Sequence, residues 1–189
     1  HGAEPPKKIT DAMLKYDVVL LATEKSLSHT RARENASKKG ARIASMPGIT
    51  ADMMERALNV DFNKIKIINE KMITKLKNKN KINIMTKKGT NVEFYTEGRK
   101  WVSDYGIYTK KGAFGNLPAG EIFIAPLENK ANGTIVVDAS VGSIGKVDKN
   151  IQIIVKNGFI TNVVGGKTAN QFKKSLKNKL YKNVAELGI

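Results

Sequence analysis

Asp17-Val-Val-Leu-Leu-Ala-Thr23, followed by Ser26-Leu-Ser-His-Thr-Arg-Ala-Arg-Glu-Asn-Ala-Ser-Lys-Lys-Gly40 and then Ala41-Arg-Ile-Ala-Ser-Met46, decides the fold class. The first run is almost continuously β-branched and aliphatic, as a buried parallel strand requires. The second has hydroxyl N-cap candidates at its start, lysines in its last turn and a glycine just past its end, which are helix start and stop signals in the right order. The third reads as another strand, ended by Pro47-Gly48. Together they predict one strand-helix-strand unit, parallel and right-handed. Two strands cannot form a stable sheet alone.

Working outward, Lys7 to Tyr16 reads as a short helix, and Ile49 to Leu58 as another that starts at a Thr50 cap with Asp52 in its first turn. Asp61 to Asn78 places Phe62, Ile65, Ile68, Met72 and Leu76 along one face at spacings of three and four, with a mostly lysine, solvated face opposite. From Lys81 the pattern switches to strands. Lys81-Ile-Asn-Ile-Met-Thr86 and Asn91-Val-Glu-Phe-Tyr-Thr96 flank Lys-Lys-Gly-Thr as a hairpin, and Ile151 to Val155 with Phe159 to Val163 flank Asn157-Gly158, the strongest two-residue hairpin turn. Ile122 to Pro126 and Thr134 to Asp138 are further apolar runs. The last predicted helix spans Thr168 to about Leu180, with Thr168 and Gln171 as a capping box and Phe172, Leu176 and Leu180 recurring every four residues. The fold class is thus α/β. A partial strand-helix-strand, Rossmann-like layer over residues 1–60 is followed by a β-rich mixed α+β domain over residues 61–189.

Composition narrows the chemistry. The chain has 189 residues, 41% hydrophobic, with no cysteine, which excludes disulfide frameworks, thiol catalysis and zinc ribbons. Its two histidines, His1 and His29, exclude a His-rich metal site within the chain. No apolar run approaches the roughly 18 residues of a membrane span, and the first residues lack the apolar core of a signal peptide, so a soluble, cytoplasmic protein without a membrane partner is expected. The net charge of +16 invites a nucleic-acid reading. Of the 33 basic residues only five are arginine, Arg31, Arg33, Arg42, Arg56 and Arg99. Base-edge and bidentate phosphate recognition favours arginine, so the charge reads as a lysine-rich solvated surface, and a nucleic-acid partner is not expected.

Several catalytic templates fail: there is no H-E-x-x-H, no G-x-G-x-x-G after a strand and no G-x-S-x-G. Gly115-Asn-Leu-Pro-Ala-Gly120-Glu121 has the glycine spacing of a phosphate loop but a carboxylate where lysine should stand, which repels an anion and welcomes a cation. Glu121 opens an apolar strand, Ile-Phe-Ile-Ala-Pro, and a charge at such a mouth is costly to bury unless paired or metal-bound. The alternative is a carboxylate paired with a lysine or capping a turn. Glu186, in Asn183-Val-Ala-Glu-Leu-Gly188, is a second carboxylate among apolar neighbours, with an ordinary exposed glutamate as the competing reading. Asp104 and Asp138 are weaker candidates of the same kind.

The stretches Asn116-Leu-Pro-Ala-Gly-Glu-Ile-Phe-Ile-Ala-Pro126, Asn132-Gly-Thr-Ile-Val-Val137 and Asn183-Val-Ala-Glu-Leu-Gly188 resemble the aminopeptidase T/aminopeptidase S family of metal-dependent leucyl aminopeptidases. Ser28-His-Thr-Arg-Ala-Arg33, Arg42-Ile-Ala-Ser-Met-Pro-Gly-Ile49 and Glu97-Gly-Arg99 are similar to its archaeal and bacterial branch. The resemblance implies a homodimeric exopeptidase that acts on peptide substrates with two divalent metal ions, zinc or cobalt. It matches Glu121 to the family's first metal-binding glutamate and Glu186 to the second. Two such ions about 4 Å apart activate a water and polarise the scissile carbonyl. Asn116 and Arg99 lie in family-like segments without an assigned role, and His29 is expected to cap or fill a core. The family's two histidines, aspartate and catalytic tyrosine follow the segment around Glu186, so this chain is expected to be a middle fragment with little peptidase activity of its own. Two further readings are a nucleic-acid-binding basic domain and a non-catalytic relative that keeps the fold for interaction.

Overall fold

The computed structural model describes residues 3–189. In chain order the elements are α1 (Lys7–Met13), β1 (Val18–Leu21), α2 (Arg31–Lys39), β2 (Arg42–Ser45), α3 (Ala51–Leu58), α4 (Phe62–Leu76), β3 (Lys81–Met85), β4 (Asn91–Tyr95), β5 (Val102–Asp104), β6 (Phe114–Asn116), β7 (Glu121–Ile124), β8 (Asn132–Val137), β9 (Ser140–Val141), β10 (Gly145–Lys146), β11 (Ile151–Lys156), β12 (Phe159–Val164), α5 (Lys167–Ser175) and β13 (Leu187–Gly188). This is a mixed α/β fold. It packs as two units, one formed by the chain up to Ile73 with Ser103–Ile122, the other by Thr74–Val102 with Phe123–Ile189.

In the first unit β1, β2 and β6 form a parallel sheet in that order, with Val18 opposite Arg42 and Ser45 opposite Asn116. Ala32 and Ala36 of α2 share a core with Met13, Leu21, Ala41 and Ile43. Small inward side chains let the helix lie close to the sheet, and larger ones would overpack the contact. The helix starts later than the first hydroxyl of its run. Ser26 and Ser28 engage each other and Ser45, which leaves Thr30 as the cap, its Oγ1 accepting from the Arg33 N–H at 3.3 Å. Gly40, with φ 113°, ends it in the left-handed conformation that favours glycine.

Asp61 caps α4, its Oδ1 accepting from the Asn63 and Lys64 N–H groups at 3.0 and 3.1 Å. The inward stripe of this helix differs from the expected one. Ile68 is exposed, and the buried position between Ile65 and Met72 belongs to Asn69. The reason lies in what the Asn69 amide holds together, described below.

In the second unit β12, β11, β8, β4 and β3 form an antiparallel sheet in that order. Ile151, Ile153 and Val155 of β11 point inward while Gln152 and Lys156 are exposed, the alternation of a half-covered sheet. They pack with Val92, Phe94, Val163 and Leu187, and Phe172 and Leu176 lie against that core. Both predicted hairpins form, and Asn157 and Gly158 take φ 48° and 76°, the two positive values a type I′ turn demands. At Gly133 a Cβ would strike the Asn91 carbonyl oxygen and the Val92 Cα, and φ is 130°, so β8 lies this close to β4 only because the residue is glycine. The last helix, α5, is shorter than predicted, and its N-terminus is held by a residue distant in sequence. Asp148 Oδ2 accepts from the Lys167 N–H at 2.8 Å and Oδ1 from the Thr168 N–H at 3.0 Å, while Thr168 Oγ1 accepts from the Asp148 N–H at 3.2 Å. That reciprocal pair replaces the expected Thr168–Gln171 box. Among the described residues no helix is long and apolar enough to cross a membrane.

Candidate functional site at the carboxyl edge of the parallel sheet

Because β1, β2 and β6 run the same way, their carboxyl ends lie on one edge, where ligands bind in open parallel sheets. Strand β2 ends on Ser45, which is 0% exposed, and its Oγ accepts a hydrogen bond from Ser28 Oγ at 2.9 Å. Ser26 Oγ donates in turn to Ser28 Oγ at 2.9 Å. A buried hydroxyl is costly unless partnered, and buried Ser28 and Ser45 partner each other, with half-buried Ser26 at the outer end of the hydrogen-bonded chain. Arg33 fixes the loop that carries them. Its Nε donates to the Ser28 carbonyl at 2.7 Å, and its guanidinium lies 4.1 Å from the centre of the Phe114 ring. Glu4 lays its carboxylate on the start of α2, accepting from the Arg31 and Ala32 N–H groups at 2.7 and 3.2 Å. Unpaired amides and the helix dipole favour a negative charge there.

On the neighbouring strand β6 ends on Asn116, opposite Ser45, and the next N–H, of Leu117, donates to the Ser45 carbonyl at 2.9 Å. The Tyr108 hydroxyl lies 2.5 Å from Asp104 Oδ1 and 2.7 Å from the Asn116 carbonyl, and Asp104 Oδ2 accepts from the Asn116 N–H at 3.3 Å. Burial first, and then the Asp104 carboxylate beside it, push the Tyr108 phenol well above the usual tyrosine range. It therefore stays protonated and acts as a donor. Gly115 makes room for it, since a Cβ there would run into the Tyr108 ring. Asn69, 3% exposed, completes the cluster. Its Nδ2 lies 3.1 Å from Ser103 Oγ, 3.4 Å from the Asp104 carbonyl and 3.1 Å from the Glu121 carbonyl. One buried amide thus ties the backbone at Asp104 to that at Glu121, which is why a polar residue sits on the inward face of α4.

This edge offers hydroxyls, amides and the two carboxylates of Glu4 and Asp104, a set suited to holding a small polar molecule by hydrogen bonds. Among the described residues no group of three or more His, Cys, Asp or Glu side chains is placed to hold a metal ion. The residues singled out from sequence fall as follows. Glu121 is exposed at the start of β7 and packs with the first unit, while Glu186 is exposed just before β13 and packs with the second. Asp104 belongs to the Tyr108 cluster, Asp138 is exposed after β8, and Arg99 pairs with Glu128 at 2.6 Å. His29 is exposed in the loop before α2, not a core residue, and His1 lies outside the described residues. Ser28, Ser45, Asn69 and Tyr108 were not singled out as site residues. The signal for Asn69 was present in the regular three-four-three-four spacing of Phe62, Ile65, Asn69, Met72 and Leu76.

The family model described as NicX, 2,5-dihydroxypyridine 5,6-dioxygenase, matches residues 2–184. The chain belongs to the 2,5-dihydroxypyridine 5,6-dioxygenase family. A curated relative in this family, the 2,5-dihydroxypyridine 5,6-dioxygenase of Pseudomonas putida, is 28% identical over 156 residues, covering 80% of this chain and 43% of the relative. The solved structure of 2,5-dihydroxypyridine dioxygenase from Pseudomonas putida KT2440 matches with a TM-score of 0.74 at 22% identity, over 96% of this chain and 52% of that one. AmpT from Thermus thermophilus matches with a TM-score of 0.58 at 15% identity, over 97% of this chain and 57% of that one. Both likenesses establish the fold. The chain spans about half the length of the relatives it matches.

The aminopeptidase assignment, and with it the hydrolytic function, is therefore corrected: the family matched over nearly the whole chain is the dioxygenase family, and the AmpT likeness is the weaker one. The physical reason is visible in the Asn116 to Pro126 stretch that carried the resemblance. Gly115 admits Tyr108, Asn116 donates its N–H to Asp104, Gly120 donates its N–H to the Asp104 carbonyl at 3.0 Å, and Glu121 offers its carbonyl to Asn69. In this chain the residues of the pattern serve a backbone turn, and the fold as a whole is shared with both solved structures.

Proposed function

We propose that this chain forms part of an enzyme that opens a hydroxylated nitrogen heteroaromatic ring with dioxygen, the substrate being 2,5-dihydroxypyridine or a close analogue. The observation that carries the reading is the family match over residues 2–184. The carboxyl edge described above supports it, because a flat ring with polar substituents can exchange hydrogen bonds with hydroxyl and amide groups such as those of Tyr108 and Asn116 while its faces need only apolar contact.

Dioxygen attacks closed-shell aromatics slowly without a redox metal or cofactor, and non-haem iron held by two histidines and a carboxylate is a fitting activator. The described residues do not gather such a ligand set. The pair of zinc or cobalt ions was implied by the peptidase resemblance alone and goes with it. Glu121 and Glu186 stay candidate carboxylates for an ion, a point settled by the iron content of Glu121→Gln and Glu186→Gln variants of the intact gene product. The role of this chain's own residues is to bind and orient the ring.

The reading is tested on the product of the intact gene, supplied with ferrous ion, 2,5-dihydroxypyridine and air. Oxygen uptake with loss of the ring's ultraviolet absorbance is expected. Hydrolysis of leucine-p-nitroanilide without oxygen uptake would overturn it.

A further inference from the structure

Between Asp148 and Glu186 the chain carries eight lysines and not one aspartate, glutamate or arginine. Five of the eight, Lys173, Lys174, Lys177, Lys179 and Lys182, surround the end of α5 and the 3-10 turn Leu180–Lys182, and all are exposed. None of the five forms an ion pair with another described residue. In their midst Leu180 is 83% exposed and Tyr181 is 62% exposed.

This protrusion is built, not frayed. Asn178 Oδ1 accepts from the Leu180 and Tyr181 N–H groups at 2.9 and 3.3 Å and so caps the turn. Asn183 bridges to Phe159, and the Val184 N–H donates to the Gly158 carbonyl at 2.8 Å, which pins the following segment to the β11–β12 hairpin. Lys179 lies over the Phe159 ring at 5.0 Å. A leucine and a tyrosine held out in water by a capped turn, flanked in sequence by five exposed lysines with no ion-pair partner among the described residues, match a surface that is anionic outside and apolar just beneath. Clustered lysines near an anionic bilayer each add attraction, and an exposed leucine adds the burial of its side chain among acyl chains.

We propose that residues 173–182 dock on an anionic lipid membrane, with Leu180 and Tyr181 entering the interface and the lysines facing the headgroups. A nucleic acid is the poorer match. It would use arginine forks and several stacking aromatics, whereas this segment has no arginine, and its most exposed apolar side chain is aliphatic.

The test is co-sedimentation of the protein with phosphatidylcholine vesicles and with vesicles in which about a third of the lipid is phosphatidylglycerol. Binding is expected only to the anionic vesicles and falls as salt is raised. Lys177, Lys179 and Lys182 changed together to Gln should lose about fivefold in affinity per lysine, while the same loss of charge at Lys8, Lys38 and Lys39 should change little. Leu180→Ser with Tyr181→Ser should lose at least about tenfold at unchanged net charge. Far-ultraviolet circular dichroism checks that each variant is folded, and the lysine variant alters only exposed side chains. Equal binding to neutral vesicles, or full binding by the Leu180→Ser, Tyr181→Ser protein, overturns the proposal. So does duplex or single-stranded DNA binding that exceeds vesicle binding, or self-association in sedimentation velocity that Leu180→Ser abolishes.

Discussion

Of the buried polar side chains of the parallel unit, Thr30 caps a helix while Ser28, Ser45 and Asn69 meet one another or the backbone at strand ends, whereas those of the antiparallel unit are all threonines that close turns or cap a helix. Thr90 Oγ1 accepts from the Val136 N–H at 3.0 Å, Thr96 Oγ1 donates to the Lys79 carbonyl at 2.7 Å, and Thr168 answers Asp148. A turn-closing threonine has satisfied its hydrogen-bonding capacity locally and serves the fold alone. Hydroxyls and amides gathered on the open edge of a sheet can also serve a ligand. The contrast marks the carboxyl edge of the parallel unit as the candidate site and the antiparallel unit as scaffold.

The largest effect that would break this contrast is at Gly133. Gly133→Val forces a side chain against the β4 backbone at a positive φ and is expected to cost more than about 3 kcal/mol. Urea unfolding followed by the fluorescence of Trp101, which packs on the antiparallel core, reads it directly. Stability within about 1 kcal/mol of the parent would contradict the close packing of β8 on β4. Next comes Ile43→Ala in the parallel unit, where a fully buried side chain is truncated at a cost of about 2–5 kcal/mol, visible as faster amide exchange in β1 and β2.

Asn69→Leu removes the one buried amide of α4. It would make the inward stripe of α4 uniformly apolar, and a purely hydrophobic reading expects it to stabilise. Because the amide faces Ser103 Oγ and the carbonyls of Asp104 and Glu121, a loss of about 1–3 kcal/mol is expected instead, with faster amide exchange at Gly120. A gain in urea midpoint would refute the role given to Asn69.

The smallest effect concerns Asp148, whose carboxyl is held well below the usual carboxylate range by the Thr168 N–H first and the Lys167 N–H next. A depressed folded-state value means the stabilisation is present above the ordinary aspartate range of about 4 and is lost as pH falls through the lower folded-state value. The melting temperature of Asp148→Ala should therefore lie below the parent at neutral pH, and the two curves should converge in strong acid. Parallel curves at all pH values would show that Asp148 does not cap α5.

Much of this fold could be read from the chain. The strand-helix-strand start, both hairpins and the α/β class follow from periodicity, glycine placement and capping residues, all of which act locally. What escaped were ties between residues far apart in sequence: Asp148 with Thr168, Ser28 with Ser45, Asn69 with Glu121. No local propensity reports such pairs. The functional reading failed for a related reason. The residues of the Asn116 to Pro126 stretch hold a backbone turn in this chain, and a fold likeness does not fix the chemistry carried on it.

Ring opening of 2,5-dihydroxypyridine under isotopically labelled dioxygen, with the intact gene product as catalyst, separates the proposed oxygenase from a hydrolase. Mass spectrometry of the product should find both atoms of one dioxygen molecule incorporated. Product carrying one labelled atom or none, or hydrolysis of a leucyl amide in its place, would contradict the proposed ring-opening oxygen chemistry.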